Sequence, residues 1–248
     1  VCLQTFARDN GTITADIQEC ADGQRGAIGL VAAEQVNRVG VLDMRRKAPD
    51  LVDLDGTEPG VSHIEVGRGP IVVEPGSGGN AAYTLNQIDG TLSVINLWYL
   101  RDSVENVIEP PSRPVDLVVR DAFEAQLDDQ TISSPDRLIV ALSNPSQLWM
   151  RDGVQCDKPS AVGSGNFDRL DPNADVSCNE PTDVASIMLD LPGLVADLEL
   201  DPRGDRLYVA YRDRQYMSVF ALDERATESG DLTCMEGGPA PCEAARVG

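Results

Sequence analysis

The sequence predicts an all-β fold built from repeated four-stranded antiparallel units, and three observations carry that expectation. The stretch GNAAYTLNQIDGTLSVINL, residues 79–97, lies over GDRLYVAYRDRQYMSVFAL, residues 204–222, without a gap at an offset of 125. Both read as two short runs, rich in β-branched and aromatic residues, with a turn between them, which is the pattern of a hairpin. A further extended run precedes three such hairpins: GPIVVEP (69–75), PVDLVVR (114–120) and VADLELDP (195–202).

Taken in order, the chain begins with a polar, turn-rich segment over 1–24, expected to hold a first strand and a disulfide. The first repeat is RGAIGLVAAEQVNRVGVLDM (25–44) and the second is the hairpin at 79–97. The third is DRLIVALSNPSQLWM (136–150) and the fourth is the hairpin at 204–222. With Leu30, Tyr83, Ile139 and Tyr208 taken as equivalent, the steps are 53, 56 and 69 residues, so each unit is one supersecondary block with insertions of differing length. Asp89-Gly90 and Asn144-Pro145 supply turn chemistry. GSGGN at 76–80 opens a strand rather than a helix, so it reads as a turn and not as a phosphate cradle. The hairpin strands are apolar on both faces, which implies sheets covered on both sides. Four strands per unit, stacked face to face about an axis, define a propeller blade. About four blades are expected over 25–222.

Two excursions interrupt the regularity. DAFEAQLDD (121–129) has an acidic start, Glu124 three residues later and Phe123 and Leu127 four apart, which predicts a short capped helix. Residues 151–181 lack an apolar period and are rich in Gly, Pro, Asn and Asp, so they are expected to form a disulfide-tied rim loop and a recognition surface. Residues 223–248 should hold an outer strand and a disulfide-tied C-terminal segment. Trp98 and Trp149 close their hairpins, where burial against a neighbouring blade is the default and a contact hot spot the alternative.

The charge balance limits the partners. Against 41 Asp and Glu there are 20 Lys and Arg, a formal charge of −21, and such a surface does not suit nucleic acid or an anionic membrane. The six cysteines stand at 2, 20, 156, 178, 234 and 242, with no CxxC or Cys/His cluster for zinc. Their spacing suggests local pairs, Cys2 with Cys20, Cys156 with Cys178 and Cys234 with Cys242, and other connectivities stay open. Disulfides imply an extracytoplasmic location, periplasmic, cell-surface or secreted, with any signal sequence outside this chain. No apolar stretch reaches the length of a membrane span. Asp171, Asn173 and Asp175 have the alternating spacing of a calcium loop, but Val176 replaces the expected Gly and Thr182 the bidentate Glu. A solvated acidic turn is the first reading there, a calcium site the second, and no other cofactor is expected.

DPRGDRLYVAYRDRQYMSVFAL, with its Pro-led strand, DPxG turn, LYVA strand and SV-hydrophobic strand, resembles the YVTN-type β-propeller repeats. The copies at 25 and 136 are degenerate and lack the Tyr. The resemblance spans roughly 25–222 and implies an exported propeller acting as a protein-binding or assembly scaffold. Family propellers close with more blades than four, and RVG before the end at Gly248 is similar to EVG at 65–67, which stands just before an inner strand. The open blade faces are therefore expected to meet a protein partner or the remaining blades. Lactonase-like relatives of the repeat also suggest an axial His/Glu/Arg site, for which His63, the single histidine, with Glu65 and Arg68 are the candidates. A lactonase-like hydrolase or a quinoprotein-like oxidoreductase is the enzyme alternative, and a structural subunit of a surface assembly is a third.

Overall fold

The computed structural model describes residues 4–9, 12–17, 28–44, 50–52, 54, 60–76, 81–97, 104, 106–120, 123–127, 130–134, 136–156, 178–179, 186–202, 204, 206–222 and 233–234. In chain order the strands are β1 (Gln4–Asp9), β2 (Thr12–Ile17), β3 (Ile28–Ala33), β4 (Arg38–Asp43), β5 (Asp50–Leu51), β6 (His63–Glu65), β7 (Pro70–Pro75) and β8 (Ala81–Asn86). They continue as β9 (Thr91–Asn96), β10 (Asn106–Ile108), β11 (Arg113–Arg120), β12 (Phe123–Leu127), β13 (Gln130–Ser134), β14 (Arg137–Ser143) and β15 (Gln147–Asp152). The remainder are β16 (Gln155–Cys156), β17 (Cys178–Asn179), β18 (Ser186–Asp190), β19 (Val195–Leu200), β20 (Arg206–Tyr211), β21 (Met217–Ala221) and β22 (Thr233–Cys234).

Three sheets have the strand order of a propeller blade, first strand to fourth in sequence. Blade 2 is β7-β8-β9-β10, blade 3 is β11-β14-β15-β18 and blade 4 is β19-β20-β21-β22. Blade 1 contains β3 and β4, and its outer edge is split between β5 and β6, which pair with different parts of β4. The central hairpin of every blade is antiparallel. The central hairpins share one register: Leu30 faces Val41, Tyr83 faces Val94, Ile139 faces Met150 and Tyr208 faces Val219, eleven positions on in every case. The equivalence expected from sequence is thus a physical one. An alternating side-chain period makes such a register strict, because a slip of one residue would send each apolar side chain to the opposite face.

Two compact units divide the chain, one made of Val1–Val73, Gly79–Ile108 and Gln155–Asn179, the other of Glu74–Gly78, Glu109–Val154 and Glu180–Gly248. In the first, Val39, Val41, Val52 and Ile64 of blade 1 pack with Ala82, Ile95 and Leu97 of blade 2. In the second, Val118, Ile139, Ala141, Leu148 and Met150 of blade 3 pack against Val195, Leu198, Leu207, Val209 and Phe220 of blade 4. Each fully buried side chain of this size contributes about 1.5–3 kcal/mol, so these seams hold the blades together.

Several elements differ from expectation. Residues 123–127 form a strand, not a capped helix, and β12 pairs with β13 from Phe123–Ser134 to Leu127–Gln130. Phe123, Ala125 and Leu127 satisfy a two-residue period as well as the four-residue spacing, and five residues are too few to repay helix nucleation. The N-terminal segment, expected to hold a first strand, carries a hairpin, β1 with β2. The excursion at 151–181 includes a two-strand pairing, β16 with β17, and Cys156 there is joined to Cys178 as expected. Both sulfur-bearing residues are buried. The pairings expected for Cys2, Cys20 and Cys242 lie outside the described residues, and of Cys234 only the backbone position on β22 is described.

Candidate functional site

The residues singled out for an axial site sit on or beside the outer strand of blade 1. On β6, His63 and Glu65 share one strand face while Ile64 between them is fully buried. Glu65 forms an exposed ion pair with Arg38 at 3.6 Å, across from it in the sheet. Arg68 turns to the hairpin of blade 2: its backbone N–H donates to Asp89 Oδ2 and its Nε to Asp89 Oδ1, both at 2.6 Å. These bonds from Arg68 hold the Asp89 carboxyl below the usual carboxylate range. The structure therefore joins Glu65 with Arg38 and Arg68 with Asp89. Asp171, Asn173 and Asp175 lie outside the described residues, as does Trp98. Trp149 is buried, with the Arg151 guanidinium 5.6 Å from its ring centre.

The serine of the repeated SV pair has a definite task. Asn86 Nδ2 donates to Ser93 Oγ at 2.9 Å, and at the corresponding positions of blade 4 the Tyr211 hydroxyl donates to Ser218 Oγ at 2.8 Å. Both serines are buried, so each bond satisfies a polar group that would otherwise be costly. Burial raises the Tyr211 phenol, with the bond to Ser218 opposing it. Gly67 lies so near Asn86 that a Cβ would stand 2.6 Å from Nδ2, which fixes glycine at that close approach.

The first strands of blades 2, 3 and 4 carry a group of carboxylates in the second unit that sequence reading did not single out. Both β11 and β19 contain a bulge, between Pro114 and Asp116 and between Val195 and Asp197, and after it Asp116 faces Ala141 just as Asp197 faces Ala210. Asp116 Oδ1 accepts the N–H of Leu117 at 2.9 Å, and Oδ2 accepts the N–H of Leu198 on the next blade at 2.7 Å. Burial nonetheless pushes the Asp116 carboxyl above its ordinary value against the pull of these two bonds, and the charges of Asp197 and Glu199 add to the rise. The Glu74 carboxyl is raised too, first by burial and then by Asp116 and Glu199. Chemically, this is a place where a carboxylic acid keeps its proton above the usual range. The signal in the sequence was the shared Asp-Leu of PVDLVVR and VADLELDP. Among the described residues, no three His, Cys, Asp or Glu side chains form a group able to hold a metal ion. No helix in them is long and apolar enough to cross a membrane.

No protein-family model matches the sequence. No curated protein matches it either. Among solved structures, the chain is similar to a protein assigned as a 6-phosphogluconolactonase from Bacteroides uniformis, with 12% identity over 94% of this chain and 63% of that one, at a TM-score of 0.50. A second protein with that assignment, from Bacteroides fragilis, shows 15% identity over 97% of this chain and 64% of that one, TM-score 0.49. The dihydro-heme d1 dehydrogenase NirN shows 15% identity over 84% of this chain and 34% of that one, TM-score 0.48. The chain spans less than two thirds of the length of each.

At such identities the likeness to the first of these speaks to fold alone, and it agrees with the blades described above: the chain is a partial β-propeller.

Proposed function

We propose that this chain is a run of YVTN-type propeller blades that serves as a non-enzymatic, extracytoplasmic scaffold for protein binding, with its recognition surface carried by blade 3. One observation carries the reading. On blade 3 the connection from first to second strand holds an insertion, the antiparallel pair β12-β13. Long insertions on a rigid sheet are where binding residues concentrate. The disulfide supports an oxidising compartment. No cofactor is needed for this role.

The test compares the proteins labelled by a proximity reagent on the native chain and on one whose 121–135 connection is replaced by the Asp-Pro-Arg-Gly turn of blade 4. Loss of a defined set of neighbours is expected; an unchanged set would overturn the assignment of the surface.

A second reading has one observation in its favour. Glu74, its carboxyl raised by burial and by the charges of Asp116 and Glu199, is suited to general acid work in a lactonase-like hydrolase. Purified protein should not accelerate hydrolysis of a sugar lactone such as a gluconolactone. A rate that exceeds background and vanishes in Glu74→Gln would replace the scaffold by the hydrolase.

A further inference from the structure

The serine bond common to blades 2 and 4 lies in two different surroundings. Thr84, Asn86 and Ser93 share the face of blade 2 that packs on blade 1, because Thr84 faces Ser93 across the hairpin and Asn86 stands two residues on from Thr84. Thr84 and Asn86 are fully buried and Ser93 nearly so. Their protons and lone pairs do not balance. Asn86 Nδ2 gives both of its protons, to Thr91 Oγ1 at 3.2 Å and to Ser93 Oγ at 2.9 Å. Ser93 Oγ accepts a second bond from the Gly67 N–H at 3.3 Å, which engages both of its lone pairs and leaves its own proton to be placed. Asn86 Oδ1 and Thr84 Oγ1 have no hydrogen-bond partner among the described residues. Turning the Asn86 amide over would strand its nitrogen in place of its oxygen, so the imbalance does not depend on which way that amide points.

At the matching places blade 4 carries Val209, Tyr211 and Ser218. Pro192 stands where blade 2 has Gly67, since the Leu191 N–H donates to Ser146 O as the Val66 N–H donates to Asn37 O. Proline has no N–H and valine has no hydroxyl. The Tyr211 ring reaches Ser218 with its own O–H and meets Tyr216 edge-on at 5.9 Å, and no buried oxygen of that group lacks a partner. Asn86 is too short to span what Tyr211 spans. We propose that the seam of blades 1 and 2 binds a single water molecule, which accepts the Ser93 proton and donates to Asn86 Oδ1 and Thr84 Oγ1. Ser93 brings the three groups together, for it faces Thr84 directly and lies 2.9 Å from the Asn86 amide. About three bonds to otherwise unmet polar atoms is the usual complement of a buried water. A metal cation does not suit the same place, because the group offers neutral oxygens with no carboxylate to balance its charge.

Two measurements on the full chain test the site. Thr84→Val keeps the shape of the side chain and removes its oxygen. In urea titration it should raise the unfolding equilibrium constant about tenfold, the effect of leaving a buried donor without its acceptor. An unchanged or lowered constant would mean that the hydroxyl served no bound molecule, and would overturn the proposal. A crystal structure at a resolution that shows ordered water is the second measurement, and it does not depend on a variant that folds. It should show one density peak within hydrogen-bond distance of Thr84 Oγ1, Asn86 Oδ1 and Ser93 Oγ, with no anomalous signal after a thallium(I) soak. Direct bonding of the Ser93 hydroxyl to Thr84, or of Thr84 to Asn86, with no peak between them would overturn it, and so would a thallium signal at that position, which would mark a cation.

Discussion

Tyr83 and Tyr208 occupy the same place in two hairpins, each opposite a valine eleven residues on, yet Tyr83 is fully buried and Tyr208 is half-buried. Every residue of β8 in blade 2 is buried, whereas β20 in blade 4 alternates between buried and more open positions. One face of each hairpin is nevertheless the same, with a serine on the third strand accepting a hydrogen bond from the last residue of the second. The difference is confined to the other face. Sequence pattern sets which side chains share a face, and the neighbour then decides what that face contributes to stability.

The largest effect should come from cutting back the two tyrosines. Tyr83→Ala empties a closed site and should cost about 3–5 kcal/mol in chemical denaturation, as large aromatic deletions in cores do. Tyr208→Ala in the same chain should cost less than about 1 kcal/mol, in the range of surface changes. Equal costs would break the comparison. Next come the two aspartates after the bulges: Asp116→Ala leaves the Leu198 N–H without its acceptor and should cost about 1–3 kcal/mol, with faster exchange at that amide. Asp197→Ala in the isolated chain should change stability by no more than about 0.5 kcal/mol.

Smaller still, Ser93→Ala and Ser218→Ala should each cost about 0.5–1.5 kcal/mol. Similar values by urea titration would sharpen the view that this face is common to both blades, and a large disparity would weaken it. The smallest effect is a slope with pH. Because Glu74 and Asp116 are raised in the folded state, the folded protein holds their protons longer than the unfolded chain does. Their contribution is therefore fully present below the ordinary carboxylate range and is lost as pH rises through their raised values. Glu74→Gln should flatten that decline in melting temperature; a slope unchanged by it would place the cause elsewhere.

Much of the architecture was legible because the repeat is a matter of spacing. The partners of Leu30, Tyr83, Ile139 and Tyr208 all follow from one hairpin length, and the spacing of Cys156 and Cys178 suggested their pairing. Residues 123–127 were misread because a strand and a helix can both place Phe123 and Leu127 on one side, and only pairing with 130–134 distinguishes them. The inner carboxylates were hidden for a different reason. A bulge adds a residue and breaks strict alternation, so which way Asp116 and Asp197 face depends on backbone geometry that pattern does not encode. His63, Glu65 and Arg68 stood out as a cluster by chain proximity, but the acceptor of Arg68 is Asp89, and that distance along the chain has no local signature.

The four central hairpins have one connection length, with four residues between Ala33 and Arg38, Asn86 and Thr91, Leu142 and Gln147, and Tyr211 and Tyr216. The connections at the opposite end of the blades range from a short turn to whole extra hairpins. Inheritance of length changes should therefore be one-sided. A residue gained between β8 and β9 inverts the third strand, while a peptide tag, a glycan or a transplanted epitope placed between β11 and β14 leaves each rung of the ladder where it was.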